Sequence, residues 1–175
     1  MITLSKLDKS NQHYLNKCDE DIEISTEYSI EFSEGNFDLI EIPVTPYSKR
    51  YDSLEIDLAD HISDSDSVIY FSFYNDELAG QLFLKRHWNN FAWLEISVKQ
   101  KFRRKGIGKE LINAAVSWSK EKNFPGIMTE TQNNNVPACK FYENCGFSPG
   151  GFDIYLYKGI EKHQKEIALF WYLKF

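Results

Sequence analysis

Residues 99–108 read KQKFRRKGIG, and what flanks them decides how they are to be read. Ahead lies FAWLEISV (91–98), an apolar run of strand composition; behind, Leu111, Ile112, Ala115 and Trp118 give residues 107–121 the apolar face of a helix. A strand that turns through glycines into a helix leaves the helix's first backbone N–H groups without intrahelical partners. The helix dipole favours an anion at the same place. Gly106 and Gly108 flank Ile107 and permit close backbone approach, while Arg103, Arg104 and Lys105 add positive charge. The ligand group expected there is a pyrophosphate. The stretch is no Walker loop, because GK[ST] does not follow, and no dinucleotide fingerprint, because GxGxxG is absent.

Upstream, VIYFSFY (68–74), LAGQLFLKR (78–86) and FAWLEISV are separated by connections too short for crossover helices, which predicts an antiparallel meander. Earlier, IEISTEYSIEF (22–32), the turn SEGN and FDLIEIPV (37–44) read as a hairpin ended by Pro43 and Pro46. RYDSLEIDLADHI (50–62) places Leu54, Leu58 and Ile62 on one helical face, and the first twenty residues read as a short helix or an arm. Downstream, FPGIMTET (124–131) predicts a strand and NVPACKFYENC (135–145) a helix, with Asn135 as N-cap, Pro137 in its first turn and Gly146 as terminator. FDIYLY (152–157) and EIALFWYLKF (166–175) read as the last strands. The fold class is α/β, a single domain over residues 1–175: a mixed, mostly antiparallel sheet flanked by helices, with strands 91–98 and 124–131 locally parallel and splayed.

Composition narrows the function. The chain is 42% hydrophobic and 15% aromatic, enough for a sizeable core, and no apolar run reaches transmembrane length or resembles a secretory segment. A soluble, cytoplasmic protein without membrane contact is expected. Cys18, Cys139 and Cys145 form no disulfide framework, and with four scattered histidines they supply no metal site. Net charge is −6, unevenly placed: fifteen acidic residues between Asp19 and Asp66, against eight basic ones between Lys99 and Lys122. Each of these charges, taken singly, reads as solvated surface; taken together they suggest an anionic ligand at the basic segment and a cationic one at the acidic segment. Such a balance suits a nucleotide cofactor better than nucleic acid.

RRKGIG resembles the Q/R-x-x-G-x-G/A turn of the GCN5-related N-acetyltransferases (GNAT). Asn135, Ala138, Tyr142, Gly146 and Phe147 are similar to that family's second cofactor segment, in the expected order. Within the family, MTETQNNNVPACKFYENCGF, the meander and the terminal ALFWYLKF resemble the streptothricin (nourseothricin) acetyltransferases. The resemblance implies a GNAT-like fold, acetyl-CoA as donor with CoA as product, and transfer to a small cationic amine. For the closer group it implies the β-lysine amine of streptothricin, and so inactivation of the antibiotic.

Amine acetylation needs a neutral nucleophile and a proton for the leaving thiolate. Glu95, on the strand before the turn, is the candidate base, directly or through water; a satisfied or solvent-facing glutamate is the plainer reading. Tyr142 is the acid that the resemblance suggests, against a core tyrosine. Asn135 is the pantetheine contact or simply the helix cap, with Asn133 and Asn134 as neighbouring candidates. The resemblance also puts Ala138 at the cofactor, and the backbones of Ile96 and Val98 beside pantetheine as an added strand. Asp52, Glu55, Glu130, Asp153 and Tyr155 are candidates for the acceptor side. ALFWYLKF can be core or the edge of a homodimer. Other acceptors, a polyamine or a protein N-terminus, remain open, as does a non-catalytic acyl-CoA-binding module.

Overall fold

The computed structural model describes residues 1–18, 21–50 and 64–175. In chain order the elements are β1 (Ile2–Lys6), β2 (Ile22–Ser33), β3 (Asn36–Lys49), β4 (Ser67–Tyr74), β5 (Glu77–Arg86), β6 (Ala92–Val98), α1 (Ile107–Glu121), β7 (Gly126–Gln132), α2 (Val136–Asn144), β8 (Ser148–Asp153) and β9 (Ala168–Lys174). They form two compact units. One comprises Met1–Glu20, Arg50–Met128 and Lys174–Phe175; the other comprises Asp21–Lys49 and Thr129–Leu173. The helix expected over 50–62 falls almost wholly outside the described residues.

In the first unit the strands run in the order β1-β4-β5-β6-β7. The meander expected from sequence is present: β4 pairs antiparallel with β5, and β5 with β6. Its first turn is tight because Asn75 and Asp76, between the paired Tyr74 and Glu77, both adopt positive φ. β6 and β7 are parallel, but their ladder is confined to Ala92↔Ile127 and Trp93↔Met128, as in a splayed pair. Helix α1 buries Ile107, Leu111, Ile112, Ala115 and Trp118 and packs on β4, β5 and β6. A second apolar cluster joins Cys18, Ile69, Phe71, Leu78 and Phe83 to Leu7, Tyr14 and Leu15 of the N-terminal segment. That segment is neither a helix nor a free arm: Ile2–Lys6 is a strand against β4, in register from Ile2↔Tyr74 to Lys6↔Tyr70, and Gln12–Tyr14 is a single 3-10 turn. Its polar alternation (Thr3, Ser5) hid a half-covered edge strand.

In the second unit β7, β9 and β8 follow one another, and β2 with β3 forms a separate antiparallel hairpin. The hairpin does not end at its prolines. β3 continues through Pro43 and Pro46 to Lys49, because a two-stranded ribbon has only edges and a register shift between Ile24 and Thr26 absorbs Pro46. Of the stretch 152–157 expected as a strand, only Phe152 and Asp153 are strand. Strand β8 starts earlier, at Ser148, and stops at Asp153, whose Oδ1 accepts the backbone N–H of Tyr155 at 2.7 Å and of Leu156 at 3.1 Å. This Asx turn bends the chain away. β9 lies between β7 and β8, so ALFWYLKF is interior and offers no dimer edge. Among the described residues no helix is long and apolar enough to cross a membrane.

Candidate active site

In the first unit, β6 leads through a 3-10 turn (Gln100–Phe102, Phe102 buried) to Gly106, the residue before α1. Arg104 has φ 61° and Gly106 has φ 87°, so the chain reverses on two left-handed residues. The first helical bond runs from Glu110 N–H to the Gly106 carbonyl at 3.1 Å. The N–H groups of Ile107, Gly108 and Lys109 therefore head the helix without intrahelical acceptors. Arg103 Nε donates to the Val98 carbonyl at 3.0 Å and ties the turn to the end of β6. Lys105 Nζ lies over the rings of Tyr74 (5.1 Å) and Phe102 (5.3 Å), while Lys101 pairs with Glu77. These contacts shape the turn, and Arg104 stays exposed. A pyrophosphate fits this arrangement: free helix-terminal donors, a backbone without a side chain at Gly106, and a cation beside them.

Glu95 is half-buried on β6, and its Oε1 accepts the Trp93 indole N–H at 2.9 Å. Ile96 and Val98 lie further along the same strand, opposite Leu82 and Gly80 of β5. Among the tryptophans, Trp171 is core, Trp93 is half-buried and Trp88 is 89% exposed.

In the second unit, α2 carries the other motif. The Asn135 side chain accepts the Ala138 N–H at 3.2 Å, so the expected cap is formed and that N–H is engaged. At the far end Phe147 N–H reaches the Tyr142 carbonyl (3.0 Å) and Gly146 N–H reaches that of Glu143 (2.9 Å), with Gly146 at φ 90°. This paired closure explains why the helix stops there. It also clamps Tyr142, whose ring packs against Phe141 and Phe147 and is 4% exposed. Its hydroxyl oxygen is 3.5 Å from Thr129 Oγ1 of β7. Cys139 is fully buried beside Thr131, 3.2 Å from its Oγ1, and burial pushes its thiol up to about 11, which disqualifies it as a nucleophile.

Of the acceptor-side candidates, Glu130, Asp153 and Tyr155 are among the described residues. Glu130 accepts the Tyr157 hydroxyl, with the Gln132 amide at 3.4 Å. Asp153 holds the Asx turn, and Tyr155 is 73% exposed. Glu41 is bound by Lys140 at 2.6 Å, which lowers the carboxyl's pKa and raises the ammonium's. Asp52 and Glu55 lie outside the described residues.

Sequence reasoning missed a buried polar cluster. Lys49 Nζ meets Glu166 Oε2 at 2.7 Å and Asn134 Oδ1 at 3.2 Å; Asn134 Nδ2 meets the Tyr47 hydroxyl at 3.0 Å; His163 Nδ1 lies 2.9 Å from Glu166 Oε1. Burial lowers the Lys49 pKa although Glu166 opposes it, so desolvation outweighs the ion pair there. Asn133 bonds the backbone of Tyr28 and of Ile167, each through both its main chain and its side chain. The run Asn133–Asn135 is thus a joint, two residues gripping the unit and the third capping α2.

The profile of the acetyltransferase (GNAT) family matches residues 36–147. The chain belongs to that family. A streptothricin acetyltransferase of Escherichia coli is 38% identical over 146 residues, covering 83% of this chain and 80% of the relative. Streptothricin acetyltransferase A of Bacillus subtilis is 34% identical over 131 residues, 74% of this chain and 75% of the relative. A crystal structure of a candidate streptothricin acetyltransferase from Bacillus anthracis, in complex with acetyl coenzyme A, matches over 100% of both chains with a TM-score of 0.91 and 38% identity. Nourseothricin acetyltransferase shares the fold, with a TM-score of 0.83 at 24% identity over 99% of this chain and 98% of that one. The GNAT profile spans the glycine turn and α2, the two segments that carry the family's motifs in the sequence.

Proposed function

We infer that this chain transfers the acetyl group of acetyl-CoA to an amine of streptothricin, on its β-lysine moiety, and so inactivates the antibiotic. The observation that carries this is likeness over nearly the whole chain: 38% identity to a streptothricin acetyltransferase, and a TM-score of 0.91 to a structure holding acetyl-CoA. The free donors at the head of α1 support the donor half of the reading. Within it, the backbone of Arg103 to Gly108 holds the pyrophosphate, with Arg104 as the available cation. The backbones of Ile96 and Val98 and the Asn135–Ala138 turn serve the pantetheine arm. Acetyl-CoA supplies the activated thioester.

Glu95, directly or through one water, takes the proton that the attacking ammonium must lose, since an ammonium has no lone pair. As the new C–N bond forms and the C–S bond breaks, Tyr142 gives its hydroxyl proton to the departing thiolate. Asp52, Glu55, Glu130, Asp153 and Tyr155 are the acceptor-side candidates, for a small polycationic substrate. The protein acts in the cytoplasm on this reading.

The test is an acetyl-CoA-dependent assay on purified protein with streptothricin, spermidine, an aminoglycoside and an N-terminal peptide. Strong preference for streptothricin, with the acetyl group on the β-lysine amine, is expected. Equal or better turnover of a polyamine or peptide overturns the acceptor and leaves the transferase chemistry intact.

A further inference from the structure

Trp93 and Glu95 stand two residues apart on β6 and so share one face of the sheet. Their cross-strand partners on β5 are Lys85 and Phe83, and Phe83 belongs to the buried cluster with Cys18, Ile69, Phe71 and Leu78. The indole Nε1–H donates to Glu95 Oε1 at 2.9 Å. The indole is itself held. His87 stacks on it with ring centroids 5.1 Å apart and planes 23° apart. His87 Nδ1 lies 3.1 Å from Asn89 Oδ1, and Asn89 Nδ2 lies 3.1 Å from Met128 Sδ. An indole N–H is a donor only: it can neither titrate nor take a proton. A fixed donor on one oxygen restrains the rotation of the carboxylate and hence the direction in which the other oxygen points.

We propose that Trp93 is a positioning residue for acetyl transfer: its N–H aims the Glu95 carboxylate at the incoming amine, and the stacked His87, held by Asn89, keeps the indole in place. The proposal rests on reading Glu95 as the base. Proton abstraction is sensitive to direction, so a carboxylate that loses this donor is aimed less well and loses rate while remaining chemically the same base.

The experiment is a double-mutant cycle on the full chain, with turnover measured at saturating substrates. Trp93→Phe keeps a ring and removes the donor. A fall in kcat of roughly ten- to a hundredfold is expected, with KM for acetyl-CoA unchanged. In a Glu95→Gln background the same substitution should add nothing, because Trp93 acts only through Glu95. If Glu95→Gln leaves kcat intact, the base reading fails and takes the proposal with it. If Glu95→Gln lowers kcat and Trp93→Phe does not, the proposal alone is overturned. Equal losses in both backgrounds reduce Trp93 to support of the fold and also overturn it. A second readout does not depend on turnover: the Trp93 indole N–H resonance, identified by its disappearance in Trp93→Phe, should move in Glu95→Gln. An unmoved resonance refutes the hydrogen bond on which the proposal stands.

Discussion

Tyr142 sits in the last turn of α2, where its own carbonyl closes the helix and its ring is wedged between Phe141 and Phe147. The ring is therefore placed by packing and by the helix end, and the hydroxyl oxygen lies a long 3.5 Å from Thr129 Oγ1. Removing that hydroxyl separates chemistry from structure. Tyr142→Phe is expected to cut turnover by ~10²-fold, as loss of a general acid does, with little change in thermal unfolding or in acetyl-CoA affinity by calorimetry. Turnover unchanged where chemistry is rate-limiting removes Tyr142 from the acid role. The motif Asn135–Phe147 was legible because its residues also serve the helix locally, as cap, tight turn and terminator. The neighbours were not. Nothing in the run Asn133-Asn134-Asn135 announces that the first two face Tyr28, Ile167 and Lys49, since those partners are distant in sequence and meet only after the fold forms.

Among the elements, those bounded by strong local signals came out where the sequence puts them. The helix 107–121, flanked by glycine and carrying an apolar stripe, is α1 residue for residue. Elements stabilised by pairing alone were harder: β1 is polar, and β8 reads Ser-Pro-Gly-Gly like a turn, yet β1 pairs with β4 and β8 with β9. Register contacts override weak propensity at sheet edges. The entry to α1 is the element whose backbone matters most. A Cβ on Gly106 would meet nothing nearer than Ile2 Cδ1 at 3.8 Å, so space is available and only the φ of 87° forbids it. Gly106→Ala should therefore cost about 1–2 kcal/mol through backbone strain, a fall in Tm of about 2–4 °C for each kcal/mol. Relief of that strain by twisting the turn would misdirect the Ile107 and Gly108 N–H groups, so acetyl-CoA should bind more weakly than to the wild type. Calorimetry and a melting curve check both halves; an unchanged Tm refutes the strain argument.

Charge is a property of the whole molecule, and it makes stability depend on pH in a direction that can be worked out. The Asp66 carboxyl is held below its ordinary 3.8 chiefly by the Arg86 bond, and Glu41 and Glu77 below 4.5 by Lys140 and Lys101. Depressed folded values mean that the unfolded chain binds protons first as pH falls. The contribution is complete above about 4.5 and is lost as pH drops through the folded values. All three groups are exposed, so each effect is small and screened by salt. Urea midpoints should hold steady from pH 7 to about 5 and fall below about 4.5; a midpoint that rises there contradicts the assignment.

The same net charge of −6 bears on catalysis. An acidic protein draws a polycation through the field of its excess carboxylates, since a carboxylate paired with a lysine or arginine adds no net charge. Attraction of this kind acts chiefly on encounter. It reaches about 10 Å at 0.1 M salt and about 3 Å at 1 M. Raising sodium chloride from about 0.02 M to about 0.5 M should lower kcat/KM for streptothricin while kcat stays constant, and a monoamine acceptor should show a much shallower slope. There is a tension in this design. The field that gathers the substrate also stabilises its ammonium form, the form that cannot attack, so the base must act locally on one amine against the general trend. That is why the salt effect should appear in encounter and the Glu95→Gln effect in kcat, with the latter easing at high pH as free amine forms unaided. Identical salt slopes for polycation and monoamine would show that the acidic surface plays no part in choosing the acceptor.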